Sequence, residues 1–293
     1  MIGPILIAAS ALQASGACTL PTGWRAIEAE QPRFVIFGET HGTRESPELV
    51  GQVACALSSR GKPVLVAVEL DASSNAQLQQ LWETPVAGFR QRVAQELRGF
   101  AGRLDGVGSE AMLDLIEWLH ALSRAGKKID IVAFNGARDT AQAQRWSSLP
   151  HQAGHEAEQA ENIATAAAGK PHAAVLVLVG NAHAQEGPVE FSGLRYEPMA
   201  MRLAASGPIV SLNEIYGSGT MWNCLMRRSS NDEGATGMTS DCGNHETGGD
   251  PSVPKTQLGL WATRQEGWNA GYDGYYWFPV VHGSPPVTAA SGE

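Results

Sequence analysis

The chain has 293 residues, 43% of them hydrophobic and 17% charged, a composition that supports one large globular domain with or without a small addition and needs no metal to hold a core. Its 30 acidic and 21 basic side chains leave a formal charge of −9, which argues against the clustered basic face of a nucleic-acid groove. No basic amphipathic stretch offers itself to an anionic membrane.

Residues 1–17 carry no charged side chain, and the apolar stretch Ile5 to Leu12 runs into Ala14-Ser15-Gly16-Ala17. That is the pattern of a signal peptide's apolar core and cleavage region, although its leading residues lack the usual Lys or Arg. Cys18 directly after Ala17 raises a lipoprotein reading, but Ser15 stands where a lipobox has Leu, so export to the periplasm or beyond without a lipid is expected. No later run reaches the length of a membrane-spanning helix. The four cysteines, Cys18, Cys55, Cys224 and Cys242, contain no CxxC and suit two bridges in an exported chain. Cys224 and Cys242 flank a polar loop rich in Gly, Ser and Asn that needs a tie, which leaves Cys18 to pair with Cys55.

In chain order, Phe34-Val35-Ile36-Phe37 reads as a buried strand running into Gly38-Glu39-Thr40-His41. A helix follows over Glu48 to Ser59, then a second strand, Val64 to Val68, ending at Glu69. Helical patterns cover Asn75 to Trp82, Val86 to Leu97 and Glu110 to Ala125, the last stopped by Gly126. Ile129 to Phe134 is a third strand, ending at Asn135. A long helix from about His151 to Ala168 leads to the fourth strand, Val175 to Val179, which runs into Gly180-Asn181-Ala182-His183. Strands separated by helical crossovers predict an α/β fold: a largely parallel sheet, helices on both faces, and a pocket at the carboxyl ends of the strands.

Those four strand ends carry Glu39 and His41, Glu69, Asn135, and Asn181 with His183. Ordinary loops would favour Gly, Ser, Asp and Pro there, so two carboxylates, two imidazoles and two amides point to one shared site. His41 oriented by Glu39 or Glu69 is a candidate general base for water attacking an ester or amide carbonyl. His183 is the candidate proton donor or oxyanion partner, with Asn135 or Asn181 as amide donors. The same His41, Glu69 and His183 also form a ligand set for a divalent metal with open positions, and the residues do not separate the two versions. Other signatures are absent: no G-x-S-x-G, no phosphate loop, and no H-E-x-x-H, since Gln159 stands where the second histidine would follow His155-Glu156. His151 and His155 are four apart, but with Glu156 and Glu158 beside them they read as a solvated helix face.

The last third is less patterned. Pro208 to Leu212 reads as a further strand, and Gly, Asn and Ser dominate from Gly217 to Pro254. Trp261, Trp268, Tyr272, Tyr275, Tyr276, Trp277 and Phe278 then crowd the end. They suit a strand and hairpin packed over the sheet edge, or a stacking wall for a sugar-like ligand or haem, with His282 and Tyr276 as axial candidates.

The stretch Val35 to Thr43, a helix, and Val66-Ala67-Val68-Glu69 together resemble the opening of the superfamily that joins ChaN-like haem-binding lipoproteins, erythromycin esterases and Tiki/TraB-type proteins. Phe134-Asn135-Gly136-Ala137-Arg138, the helix around Glu158 to Ala164, and Val179 to Ala184 resemble its later elements in the same order, over residues 33–215 in all. The Gly-Glu-x-His spacing fits ChaN-like members, whereas Gly42-Thr43 is more like the esterases. The resemblance implies a polar core of Glu39, His41, Glu69 and His183, with Arg44 and Arg138 as anion or oxyanion partners. The chain is expected to divide into a leader (1–17), the α/β domain (18–215) and an extension packed on that domain (216–293). Two expectations follow: an exported hydrolase of an ester, lactone or amide with a small-molecule substrate, or an envelope haem binder without chemistry.

Overall fold

A computed structural model of the chain describes residues 18–100, 105–191, 193–228, 238–249, 256–263 and 265–287. The expected leader falls outside them. After a short helix α1 (Trp24–Ala29), strand β1 (Phe34–Glu39) enters the molecule with all six residues buried. Helix α2 (Glu45–Ser59) and strand β2 (Val64–Asp71) follow, then helices α3 (Asn75–Trp82), α4 (Phe89–Glu96) and α5 (Glu110–Arg124). Strand β3 (Ile129–Asn135), helices α6 (Thr140–Trp146) and α7 (His151–Gly169), and strand β4 (Ala174–Gly180) complete the repeating part. A small hairpin of β5 (Val189–Phe191) and β6 (Leu194–Tyr196) and the short helix α8 (Met199–Leu203) lead to β7 (Ile209–Arg228), β8 (Met238–Gly248), β9 (Leu258–Leu260) and β10 (Gly274–Val281).

The central sheet runs β3-β2-β4-β1-β7-β10-β9, with β8 attached to β7. Every pairing from β3 to β10 is parallel; β9 at the edge and β8 are antiparallel. Alternation along the strands sorts their side chains into two cores. Val35, Phe37, Val64, Val66 and Val68 pack with α2, α3, α4 and α5, while Phe34, Ile36, Leu65 and Ala67 pack with Ala160, Ile163 and Ala167 of α7 and Met199, Ala200 and Leu203 of α8. The expected α/β sheet covered on both faces is what forms. Among the described residues no helix is long and apolar enough to cross a membrane.

Both expected disulfides form, Cys18 with Cys55 and Cys224 with Cys242. The Gly-, Asn- and Ser-rich run after Gly217, however, is not a loop over its described part. Strand β7 continues to Arg228 across residues 215 and 216 and pairs with β8 from Ser218↔Gly248 to Arg228↔Met238, with Cys224 opposite Cys242. Ser218 and Gly219 also pair with β10 on β7's other side, so β8 takes the side that β1 leaves at Gly38↔Asn213. This arm buries little apolar surface, so backbone pairing and one bridge hold it and no hydrophobic alternation marks it in the sequence.

The aromatic end is internal too. Strand β10 lies between β7 and β9 and buries Tyr275, Tyr276 and Phe278. Fully buried Tyr276 donates its hydroxyl to the carbonyl of Gly38 (3.0 Å) and accepts from Ser46 Oγ (3.1 Å), tying β10 to β1 and the first turn of α2. Tyr276→Phe takes one bond from each partner in a dry place, and the expected loss is about 1–3 kcal/mol in denaturant unfolding. A loss of a few tenths would show that the hydroxyl is dispensable.

Candidate functional site

Sheet order decides which strand ends meet. Strand β4 lies between β1 and β2, so Glu39, Gly180 and Glu69 stand side by side, each at or near the end of its strand. The carboxylate of Glu69 is 4% exposed, and its Oε2 accepts the Gly180 N–H at 2.7 Å. His41 Nε2 lies 3.5 Å from the same oxygen, and His183 Nε2 lies 3.9 Å from Glu69 Oε1. Each ring is held from behind by a buried carboxylate of its own. His41 Nδ1 donates to Glu39 Oε1 at 2.8 Å, and His183 Nδ1 lies 2.8 Å from both oxygens of Glu156. The carboxylates lie beneath, while the imidazole edges keep contact with solvent, at 28% exposure for His41 and 18% for His183.

Local geometry makes this packing feasible. A Cβ on Gly180 would fall 2.7 Å from His41 Nε2, so glycine is what lets the ring lie over the end of β4. His183 rides on the 3-10 turn Asn181–Ala184. The turn after His41 is clamped as well. Gly42 sits at φ +90°, a Cβ there would meet the Trp222 carbonyl at 2.0 Å, and its own carbonyl accepts from Trp222 N (3.0 Å) and Ser284 N (2.8 Å). The disulfide-tied arm thereby braces the loop that carries His41.

Electrostatics follow from the carboxylates. Burial disfavours the charged form of His41, but the negative charges of Glu69 and Glu39 and the hydrogen bond with Glu39 outweigh it and raise the pKa to about 9. His183 moves the same way: burial opposes its charge, and the hydrogen bond to Glu156 with the charge of Glu69 overcomes it. Glu69 moves down; burial would raise it, and the two imidazoles and the Gly180 N–H more than reverse that.

Four of the expected residues therefore meet at one point: Glu39, His41, Glu69 and His183. The supporting residues have contacts of their own. Arg138 is engaged by Glu161 (2.7 Å) and Asn162 (3.0 Å), pinning the loop after β3 to α7, and Arg44 is exposed at the start of α2. Asn135 accepts from Gln159 Nε2 at 3.0 Å, and Asn181 takes the Tyr272 hydroxyl on its backbone carbonyl at 2.7 Å. The solvated reading of the α7 face is overturned: Glu156 is fully buried against His183, with Met199 N donating to its Oε2 at 2.8 Å, and the His155 ring lies 6.0 Å from that of His183. The side chain of His151 lies outside the described residues. The signal for Glu156 was available, because it is three residues after Ala153 and four before Ala160, on the stripe that faces the sheet.

No family model matches the chain, and no curated protein sequence does. Solved structures do. A succinoglycan biosynthesis protein aligns at 12% identity over 90% of this chain and 92% of its own, with a TM-score of 0.60. A mutant of the erythromycin esterase EreC in its open conformation aligns at 12% identity over 92% of this chain and 95% of its own, with a TM-score of 0.53. The chain shares its α/β fold with these two proteins. ChaN of Campylobacter jejuni, a haem binder, aligns at 13% identity over 66% of this chain and 85% of its own, with a TM-score of 0.35.

Of the two expected axial ligands, only His282 reaches the surface. His282 is exposed with Nδ1 2.7 Å from Glu45 Oε1, and Tyr276 is buried under the sheet. Among the described residues no three His, Cys, Asp or Glu side chains are arranged to hold a metal ion; His41, Glu69 and His183 contact one another instead. Gly180→Ala tests the packing. Its backbone (φ −54°, ψ 138°) suits alanine, so the fold is expected to survive while a crystal structure of the variant shows the His41 ring driven off Glu69. An unmoved ring would mean that the glycine is incidental.

Proposed function

We propose that this chain is an exported hydrolase of an ester, lactone or amide. The observation that carries the reading is the convergence of two carboxylate-oriented imidazoles on one pinned carboxylate, Glu69. Each Nδ1 is occupied, so each Nε2 is the working atom, and the two face the same space. In this reading water loses a proton to His41 Nε2 as its oxygen attacks the carbonyl carbon. His183 Nε2–H then protonates the departing alkoxide or amine as the tetrahedral adduct collapses. Glu39 and Glu156 fix the tautomers, and Glu69 stabilises the imidazolium formed on His41.

A hydrolase on the fold of an esterase is a consistent setting, and two disulfides suit a chain that works outside the cytoplasm.

The raised pKa of His41 has a consequence that kinetics can read. A base with a pKa of about 9 is neutral in roughly one molecule in a hundred at pH 7, so the rate is expected to climb about tenfold per pH unit and level off near pH 9. Glu69→Gln removes the strongest influence holding the proton on His41 and is expected to bring that limb to lower pH. His41→Ala is expected to cost about 10²–10⁴-fold in turnover of esters such as p-nitrophenyl acetate while the protein stays folded. A flat profile from pH 6 to 9, or unchanged turnover in His41→Ala, would contradict the reading.

A further inference from the structure

Glu214 takes no part in the proposed reaction, yet it grips the segment that carries His41. It lies on β7, one residue past the point where β7 stops pairing with β1, and is 5% exposed. Its Oε2 accepts the backbone N–H of Thr40 at 2.6 Å, and its Oε1 lies 3.2 Å from Thr43 Oγ1, which itself reaches the Thr40 carbonyl at 3.4 Å. Thr40 follows Glu39, the last residue of β1, so its N–H is the first that the strand's ladder leaves unpaired. One side chain from the neighbouring strand therefore ties both sides of a short turn whose middle is His41 and Gly42.

We propose that Glu214 is a positioning residue for His41: by joining Thr40 N–H to the Thr43 hydroxyl it fixes where the His41 ring lies relative to Glu69. Its consequence for rate rests on the hydrolase reading; its consequence for the ring does not. Glu214 Oε2 accepts from Thr40 N–H and Oε1 from the Thr43 hydroxyl, and the Ser46 hydroxyl also bonds to this carboxyl. Burial, with the negative charge of Glu39 nearby, outweighs those bonds and raises Glu214 to about 8, which favours the neutral acid at neutral pH. Glutamine has the same donor and acceptor in the same places, which makes it the rescuing substitution. Alanine has neither.

The test compares Glu214→Ala and Glu214→Gln with the full chain. One readout is the ring Cε1–H nuclear magnetic resonance cross-peak of His41, assigned by its loss in His41→Ala. The other is kcat and KM on p-nitrophenyl acetate. Glu214→Ala is expected to move the cross-peak and to lower kcat by on the order of 10²-fold with KM little changed, the scale of a misplaced catalytic group. Glu214→Gln is expected to restore both. Should the alanine variant fail to fold, Thr43→Val, which cuts one of the two ties, is expected to move the same cross-peak. A still cross-peak in a folded Glu214→Ala or Thr43→Val, or a glutamine variant as impaired as alanine, would overturn the proposal. If the wild-type chain hydrolyses nothing while the cross-peak moves with alanine and returns with glutamine, the hydrolase reading fails and the positioning role stands.

Discussion

A carboxylate buried near the end of β2, with an amide N–H on one oxygen and an imidazole facing each, is the constraint on which the rest of this structure turns. An isolated charge in that position would cost several kcal/mol, so Glu69 has to be compensated, and every compensating group comes from elsewhere in the chain. Gly180 arrives because β4 lies beside β2 in register, Val68 opposite Leu178. His41 arrives because β1 lies on the other side of β4, with Glu39 opposite Gly180. His183 arrives on the turn directly after β4. The order β2-β4-β1, which a reader of the sequence would have to choose from several, is therefore the same fact as the composition of the site.

Compensation makes demands in turn. Two imidazoles held between three buried carboxylates give a site whose members stabilise one another, and removing any one leaves a buried polar group short of its partner. The same charges hold protons on His41 and His183 above the usual range for histidine, so in the proposed reaction the base, His41, is mostly protonated at neutral pH. Reach is set by the scaffold. The Gly42 carbonyl is gripped by Trp222 and Ser284, and β10 is bonded through Tyr276 to the end of β1, so the loop bearing His41 moves with the sheet.

Much of this was legible in the sequence because parallel core strands are apolar on both faces and stop at a polar residue. The runs ending at Glu39, Glu69, Asn135 and Gly180 declared themselves that way, and with them the four central site residues. Glu156 escaped notice because its charged neighbour Glu158 suggested a wet helix face, although its spacing from Ala153 and Ala160 placed it inward. Glu214 had no local signal at all. Its role depends on β7 lying beside β1, a pairing between residues more than 170 positions apart that no periodicity reveals. The arm of β7 and β8 was read as a loop for a related reason: a ribbon stabilised by its own backbone bonds needs no hydrophobic face, and its composition says only that it is polar. Arg138 shows the converse error, a residue of catalytic type whose charge is spent on Glu161 in fastening α7.

The measurement that bears most directly on the convergence at Glu69 is a nuclear magnetic resonance titration of the His41 and His183 rings in the full chain. Both midpoints are expected above the ordinary histidine value of about 6.5, with His41 near 9. Midpoints at or below that value for both rings would mean that the carboxylates do not hold them as described, and the account of the site would fall with them.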